Sequence, residues 1–165
     1  MHSSVLQAAD KKISVTHGLA WTIFRLKGAV VRKDILQAIE EWFPRLELPD
    51  VVWDLTDALI TGLTRDDFEA IALATKVFGK ARSRAKTVFV ADNPATYAAI
   101  GVYTGLVATQ DVDVDYCAFR TLTEAERWLV CSHEHQCGVA PHGAGDPACP
   151  RLACRTIRFY QSYKR

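Results

Sequence analysis

Four groups of residues in this chain have the types and spacing to do chemistry. Asp54 and Asp57 put two carboxyls at the end of an apolar strand, where open α/β sheets present ligand-binding groups. The plainer reading is that polar side chains leave a strand there for solvent. Thr61 and Thr64 follow on the loop into the next helix, so Asp54, Asp57, Thr61 and Thr64 make a candidate switch or ligand loop. A phosphate on a threonine at a helix start would meet free amides and the positive end of the helix dipole. Thr64 can equally serve as an ordinary helix cap. Asp92 and Asn93 precede Pro94 and open another helix, a candidate ligand site at a helix N-terminus. Cys131, His133, His135 and Cys137 bring soft thiolates and imidazoles close enough to hold zinc. Their Cys-x-His-x-His-x-Cys spacing is not that of a standard zinc finger. A nucleophile elbow, a Walker loop and the Rossmann glycine phrase are absent from the sequence, so the expectation is a protein without catalysis or cofactor.

The elements that must position these groups follow from periodicity. Ile13 to Thr16 and Leu19 to Leu26 are rich in β-formers around a His17-Gly18 turn, which predicts a hairpin with a solvated histidine. Val31 to Phe43 carries Ile35, Leu36, Ile39, Trp42 and Phe43 at helical spacing, and Pro44 and Pro49 end it. Val51 to Leu55 reads as a central parallel strand. Thr64 then caps a helix with Asp66 and Asp67 at its positive end and Phe68, Ile71, Ala72, Thr75 and Phe78 inward. Thr87 to Ala91 is the next strand. The helix from Ala95 to Thr109 is rich in small residues, Ala98, Ala99, Gly101 and Gly105, which permit close approach to a neighbour or leave room for a pocket. Tyr116 to Phe119 and Thr121 to Val130 complete the series as strand and helix. The order β-β-α-β-α-β-α-β-α demands crossovers and a largely parallel sheet, so the fold class is α/β. Trp21, Trp53, Phe89 and Trp128 are expected in the core, and Cys117 as a buried, inert thiol. Lys76, Lys80, Arg82, Arg84 and Lys86 read as a solvated basic face, with an anionic partner as the alternative.

Three phrases carry a family resemblance. They are Val51–Leu55 with its acidic end, Val88-Phe89-Val90-Ala91-Asp92-Asn93-Pro94, and Ala118-Phe119-Arg120-Thr121-Leu122-Thr123-Glu124-Ala125-Glu126-Arg127-Trp128-Leu129. In that order, over about Ile13 to Leu129, the chain resembles the SpoIIAA-like families, which include STAS domains. The resemblance implies a right-handed superhelix of strand-helix units, with an N-terminal hairpin and helices packed on a mostly parallel sheet. It also implies a role in protein-protein signalling or in binding a small or lipid-like ligand. The signalling branch carries a phosphorylatable serine in an Asp-Ser-Ser-Gly-like phrase before the second helix. Here the stretch Asp57 to Thr64 holds no serine, only Thr61 and Thr64.

Length and composition set the remaining limits. The 165 residues suit one domain, about 12–130, and a Cys- and His-containing tail, 131–165. The tail loses periodicity and is expected to be disordered, although Thr156 to Tyr160, with Ile157 and Phe159 at alternate positions, has the pattern of a short strand. A formal net charge of +1 gives no global pull toward nucleic acid, and aromatic residues are sparse near the basic cluster. No apolar run approaches a membrane span, and the start lacks a signal-peptide core, so a cytoplasmic location is expected. The leading expectation is a regulatory module with a protein partner, a homodimer among the candidates. The alternative is a carrier or sensor of a small apolar ligand held between sheet and helices. An enlarged apolar cavity would favour the carrier, and a packed core with an exposed apolar patch would favour the protein partner.

Overall fold

A computed structural model describes residues 12–134 except 81, 83, 111 and 112, and of 131–134 it describes the backbone alone. The chain forms β1 (Ile13–His17), β2 (Thr22–Ala29), α1 (Arg32–Trp42), a 3-10 turn (Phe43–Arg45), β3 (Val51–Leu59), α2 (Arg65–Phe78), β4 (Ala85–Val90), α3 (Pro94–Ala108), β5 (Val114–Phe119) and α4 (Leu122–Glu134). The five strands make one sheet in the order β1-β2-β3-β4-β5. β1 and β2 pair antiparallel, His17 opposite Thr22, and the other three pairings are parallel. The α/β class with a mostly parallel sheet is therefore the observed architecture.

That order has a geometric consequence. Each crossover advances one strand in the same direction, so a common hand places α1, α2 and α3 on one face. Ile35 and Ile39, Phe68 and Ile71, and Ile100 and Tyr103 from these helices join one core with Phe24, Trp53 and Phe89 from the sheet. Phe24 stacks on Trp53 with ring centroids 4.6 Å apart. The other face is covered by α4, where Ala125 and Leu129 meet Val52, Val88, Val90, Cys117 and Phe119. Because α4 contacts chiefly β4 and β5, the half of that face over β1 and β2 carries the exposed Ser14 and Thr16.

Several expectations change. β3 does not stop at Leu55 but runs to Leu59, because Lys27, Gly28 and Ala29 extend β2 beside it. Gly28 does not end β2; it lies within the strand at φ +65°, a conformation that costs glycine little. Trp53 and Phe89 are buried, whereas Trp21 and Trp128 are half-buried at the margin of the smaller cluster. Of the small residues of α3, Ala99 is half-buried against the main core, but Ala98, Gly101 and Gly105 are exposed, and a Cβ added at either glycine would meet nothing within 4 Å.

The basic cluster divides. Lys76, Lys80 and Arg84 are exposed, but Lys86 is buried and Arg82 is only 2% exposed. Arg82 turns in under the sheet and donates to the Pro49 carbonyl (2.8 Å), the Lys86 carbonyl (3.3 Å) and Thr87 Oγ1 (2.9 Å). Its guanidinium lies 4.8 Å from the centre of the Phe43 ring. Burial lowers the Arg82 pKa, and the charge of buried Asp50 opposes that shift. Arg82 therefore ties the loop before β3 to the start of β4 and is not part of a solvated face.

Candidate functional site

The carboxyl ends of β2 and β3 lie side by side, and each leads into a helix on the same face. Val30 N donates to the Leu59 carbonyl (3.1 Å), and Leu63 N donates to the Ile60 carbonyl (3.1 Å) to close the turn before α2. Between the starts of α1 and α2 an open cleft of about 530 Å³ remains, lined by Val31, Arg32, Lys33, Leu59, Thr61, Leu63 and Asp67 among others. Val31 is 51% and Leu59 54% exposed, so the rim is apolar and accessible.

The two helix starts differ. Thr64 caps α2: its Oγ1 accepts from Asp67 N (3.3 Å) and donates to Asp67 Oδ2 (2.9 Å), while Thr64 N also donates to Asp67 Oδ2 (2.9 Å). This reciprocal box satisfies the orphan groups there. The Thr64 amide, then its hydroxyl, hold the Asp67 carboxyl below its ordinary range, and Arg32 adds to the effect. Arg32 Nη1 lies 3.3 Å from Asp67 Oδ1, bridging the two helices across the cleft. α1 has valine as its N-cap and no side-chain cap; Asp34 Oδ2 accepts from Val31 N (3.0 Å) and from Lys12 Nζ (3.2 Å). Valine is among the poorest caps, and Arg32 and Lys33 place two cations where the helix dipole favours anions.

Beneath the cleft, between the sheet and the helices, lies a cavity of about 50 Å³. Leu26, Ile35, Ile39, Trp53, Phe68 and Ile71 form much of its wall. Its two hydroxyls satisfy each other: Thr75 Oγ1 donates to the Ile71 carbonyl (2.9 Å) and lies 3.1 Å from Tyr103 Oη. Burial pushes the Tyr103 phenol up to about 12.

The structure brings Thr61 to the cleft and sets Thr64 at its margin as a cap. It does not join them to the two aspartates. Asp54 lies inside β3, its Oδ2 3.6 Å from Arg25 Nε and its Oδ1 accepting from Thr56. Asp57 is exposed and in register with Lys27. No hydrogen bond or ion pair among the described residues links the two carboxyls. The sequential strand order also has no reversal point, the feature that opens a ligand crevice in other α/β sheets.

Asn93 is the cap of α3, accepting from Ala95 N (2.8 Å) and Thr96 N (3.2 Å), so it occupies the amides that a ligand would use. Asp92 contributes its carbonyl, which accepts from Arg120 Nη1 (2.9 Å). The metal candidates are divided by the limit of the described residues. Positions 131 and 133 belong to the backbone of α4, where residues two apart do not share a helix face; their side chains, with His135 and Cys137, lie outside the described residues. Among the described residues no group of three potential metal ligands occurs, and no helix is long and apolar enough to cross a membrane.

Sequence reasoning missed Val31, Leu59 and Leu63 as site residues. The uncapped start of α1, with valine before two cations, was the local signal that could have pointed there. Compared with known proteins, the chain matches no family model and no curated protein.

Proposed function

We propose that this domain is a cytoplasmic, non-catalytic binding module of the SpoIIAA-like type that acts through contact with another protein at the cleft between α1 and α2. One observation carries this reading. An accessible apolar rim, Val31 and Leu59, stands beside Arg32, Lys33 and Asp67 at the carboxyl ends of two adjacent parallel strands. An apolar centre with charged residues at its border is the composition of a protein contact surface. The sequential sheet with three helices on one face also agrees with the superhelical order that the resemblance implies. The inner cavity supports the protein partner over a preformed ligand carrier, since about 50 Å³ is far below the ~300–1,000 Å³ of small-molecule pockets.

The test compares proteins captured by wild type, by Leu59→Glu and by Leu73→Glu, an exposed position on α2 outside the cleft. A partner held by wild type and Leu73→Glu and lost with Leu59→Glu, at unchanged melting temperature, is the expected result. Identical capture by all three refutes the cleft as the contact surface. Self-association that disappears only with Leu59→Glu would make the partner a second copy.

A further inference from the structure

β1 is an edge strand, and its pairing with β2 fixes which of its backbone groups stay open. Lys27 N donates to the Lys12 carbonyl (2.9 Å), and Gly18 N donates to the Trp21 carbonyl (2.9 Å). Antiparallel pairs alternate, so Ser14 and Thr16 also bond to β2, while the amides and carbonyls of Ile13, Val15 and His17 point outward. No strand lies beside them among the described residues. Sheet edges are commonly guarded by charge, proline or a bulge. β1, Ile-Ser-Val-Thr-His, has no carboxylate, lysine, arginine or proline, and its register with β2 is unbroken. The far edge differs: on β5 Asp115 is exposed, and the Ala118 carbonyl accepts from Tyr97 Oη (3.2 Å). α1 runs along β1, with Asp34 3.2 Å from Lys12 at one end and the Trp42 ring 5.6 Å from that of His17 at the other. Val15, Leu36 and Trp42 are only half-buried at this margin.

We propose that β1 pairs antiparallel with β1 of a second copy, about a two-fold axis at Val15, to make one continuous sheet. In that register the strand is complementary to itself. Val15 comes opposite Val15 of the partner subunit, and Ile13 comes opposite His17 of the partner subunit. Every outward amide and carbonyl of β1 is then paired. A shift of two residues would leave Ile13 or His17 facing nothing in the opposite β1. On the face that α4 leaves open, Ser14 meets Thr16 of the partner subunit, a pairing of small hydroxyl residues. On the other face the two Val15 side chains cover each other, beside Leu36 and Trp42. The charges are compatible, since Lys12 comes opposite Gly18 and no like charges meet. Both copies use the same patch, so the contact closes on itself. It uses neither Val31 nor Leu59, and it stands or falls independently of the cleft.

The test is sedimentation velocity of the full chain, with reductant present to keep its five cysteines from cross-linking. Wild type should sediment as a dimer that dissociates on dilution. Val15→Pro should be monomeric, because proline removes an outward N–H that β2 does not use. Ser14→Glu with Thr16→Glu sets like charges opposite each other twice across the contact and should weaken the dimer about tenfold. Ser14→Glu with Thr16→Lys sets opposite charges there and should restore it. Glutamate suits position 14 because Ser14 faces Arg25 across β2. Should Val15→Pro fail to fold, the two double variants decide, since Ser14 and Thr16 are exposed. A wild type that is monomeric at every concentration, or a dimer indifferent to the exchange of charge, overturns the proposal. So does a dimer lost with Leu59→Glu and kept with both glutamates, which would put the self-contact at the cleft. Slow amide exchange at Val15 in a monomeric protein would give the edge to another segment of the chain and likewise refute the second copy.

Discussion

Replacing Tyr103 by phenylalanine should destabilise the protein at neutral pH and stabilise it at alkaline pH. Tyr103 sits on the inner side of α3, its ring 6.3 Å from that of Phe68 and 5.6 Å from that of Phe89. Its hydroxyl bonds to Thr75 Oγ1 at 3.1 Å. The Phe variant loses that bond, worth about 1 kcal/mol. Thr75 still donates to the Ile71 carbonyl, so no orphan donor is created. Against this stands proton linkage. Burial raises the phenol from 10.0 to about 12. Between those values the folded chain keeps a proton that the unfolded chain has released, so stability falls as pH rises. The contribution is complete below the unfolded value and lost as pH passes the folded one, about 2.7 kcal/mol over two units. Wild type therefore gives up about 1 kcal/mol by roughly pH 10.7, and there the two stability curves cross. Urea unfolding of both proteins from pH 8 to 11.5, followed by tryptophan fluorescence, measures the difference, in which the other titrating groups largely cancel. A difference that keeps its sign up to pH 11.5 refutes the buried phenol.

The other predictions concern stability. Thr64→Ala should cost about 1 kcal/mol through loss of the α2 cap, measured by denaturant midpoint. Arg82→Ala should cost about 3 kcal/mol or more, because the carbonyls of Pro49 and Lys86 and the hydroxyl of Thr87 lose their donor. Arg82→Lys should recover only a part of this, since an ammonium cannot fork to all three. Trp128→Ala should cost about 2 kcal/mol, below the ~3–5 kcal/mol of a fully packed aromatic residue, because Trp128 is half-buried and its ring lies tilted, 6.2 Å from that of Phe119.

Local signals were legible and non-local ones were not. The caps Thr64 and Asn93 could be read directly, since a cap bonds amides two or three residues ahead of it. The largely parallel sheet followed from the alternation of elements, whereas the order of strands within it did not. The last third of β3 was not legible: Thr56-Asp57-Ala58-Leu59 is polar enough for a loop and becomes strand only because Lys27 to Ala29 pair with Asp57 to Leu59. Arg82 looked like one more exposed cation beside Lys80 and Arg84, and its burial depends on Phe43, Pro49 and Thr87. Trp21 and Trp128 were placed too deep, because periodicity identifies the inward side of an element but not how far the opposite layer extends. The cleft was hidden for a related reason. Its rim residues, Val31 and Leu59, are 28 positions apart and meet only where two strands end together.

The unequal covering of the sheet sets an order in which the domain comes apart. Three helices brace one face and each other, whereas among the described residues α4 rests alone on β4 and β5 through a smaller cluster. Separating α4 exposes few apolar side chains and disturbs no strand pairing, so it requires less free energy than opening the other layer. Its amide protons should exchange with solvent by a partial opening, at rates insensitive to changes that alter global unfolding. Cys117, fully shielded beneath this helix, becomes reachable in that opening while Trp53 stays enclosed on the far side. The expected behaviour is two levels of cooperativity, a resistant helix-backed body and one helix that departs before it.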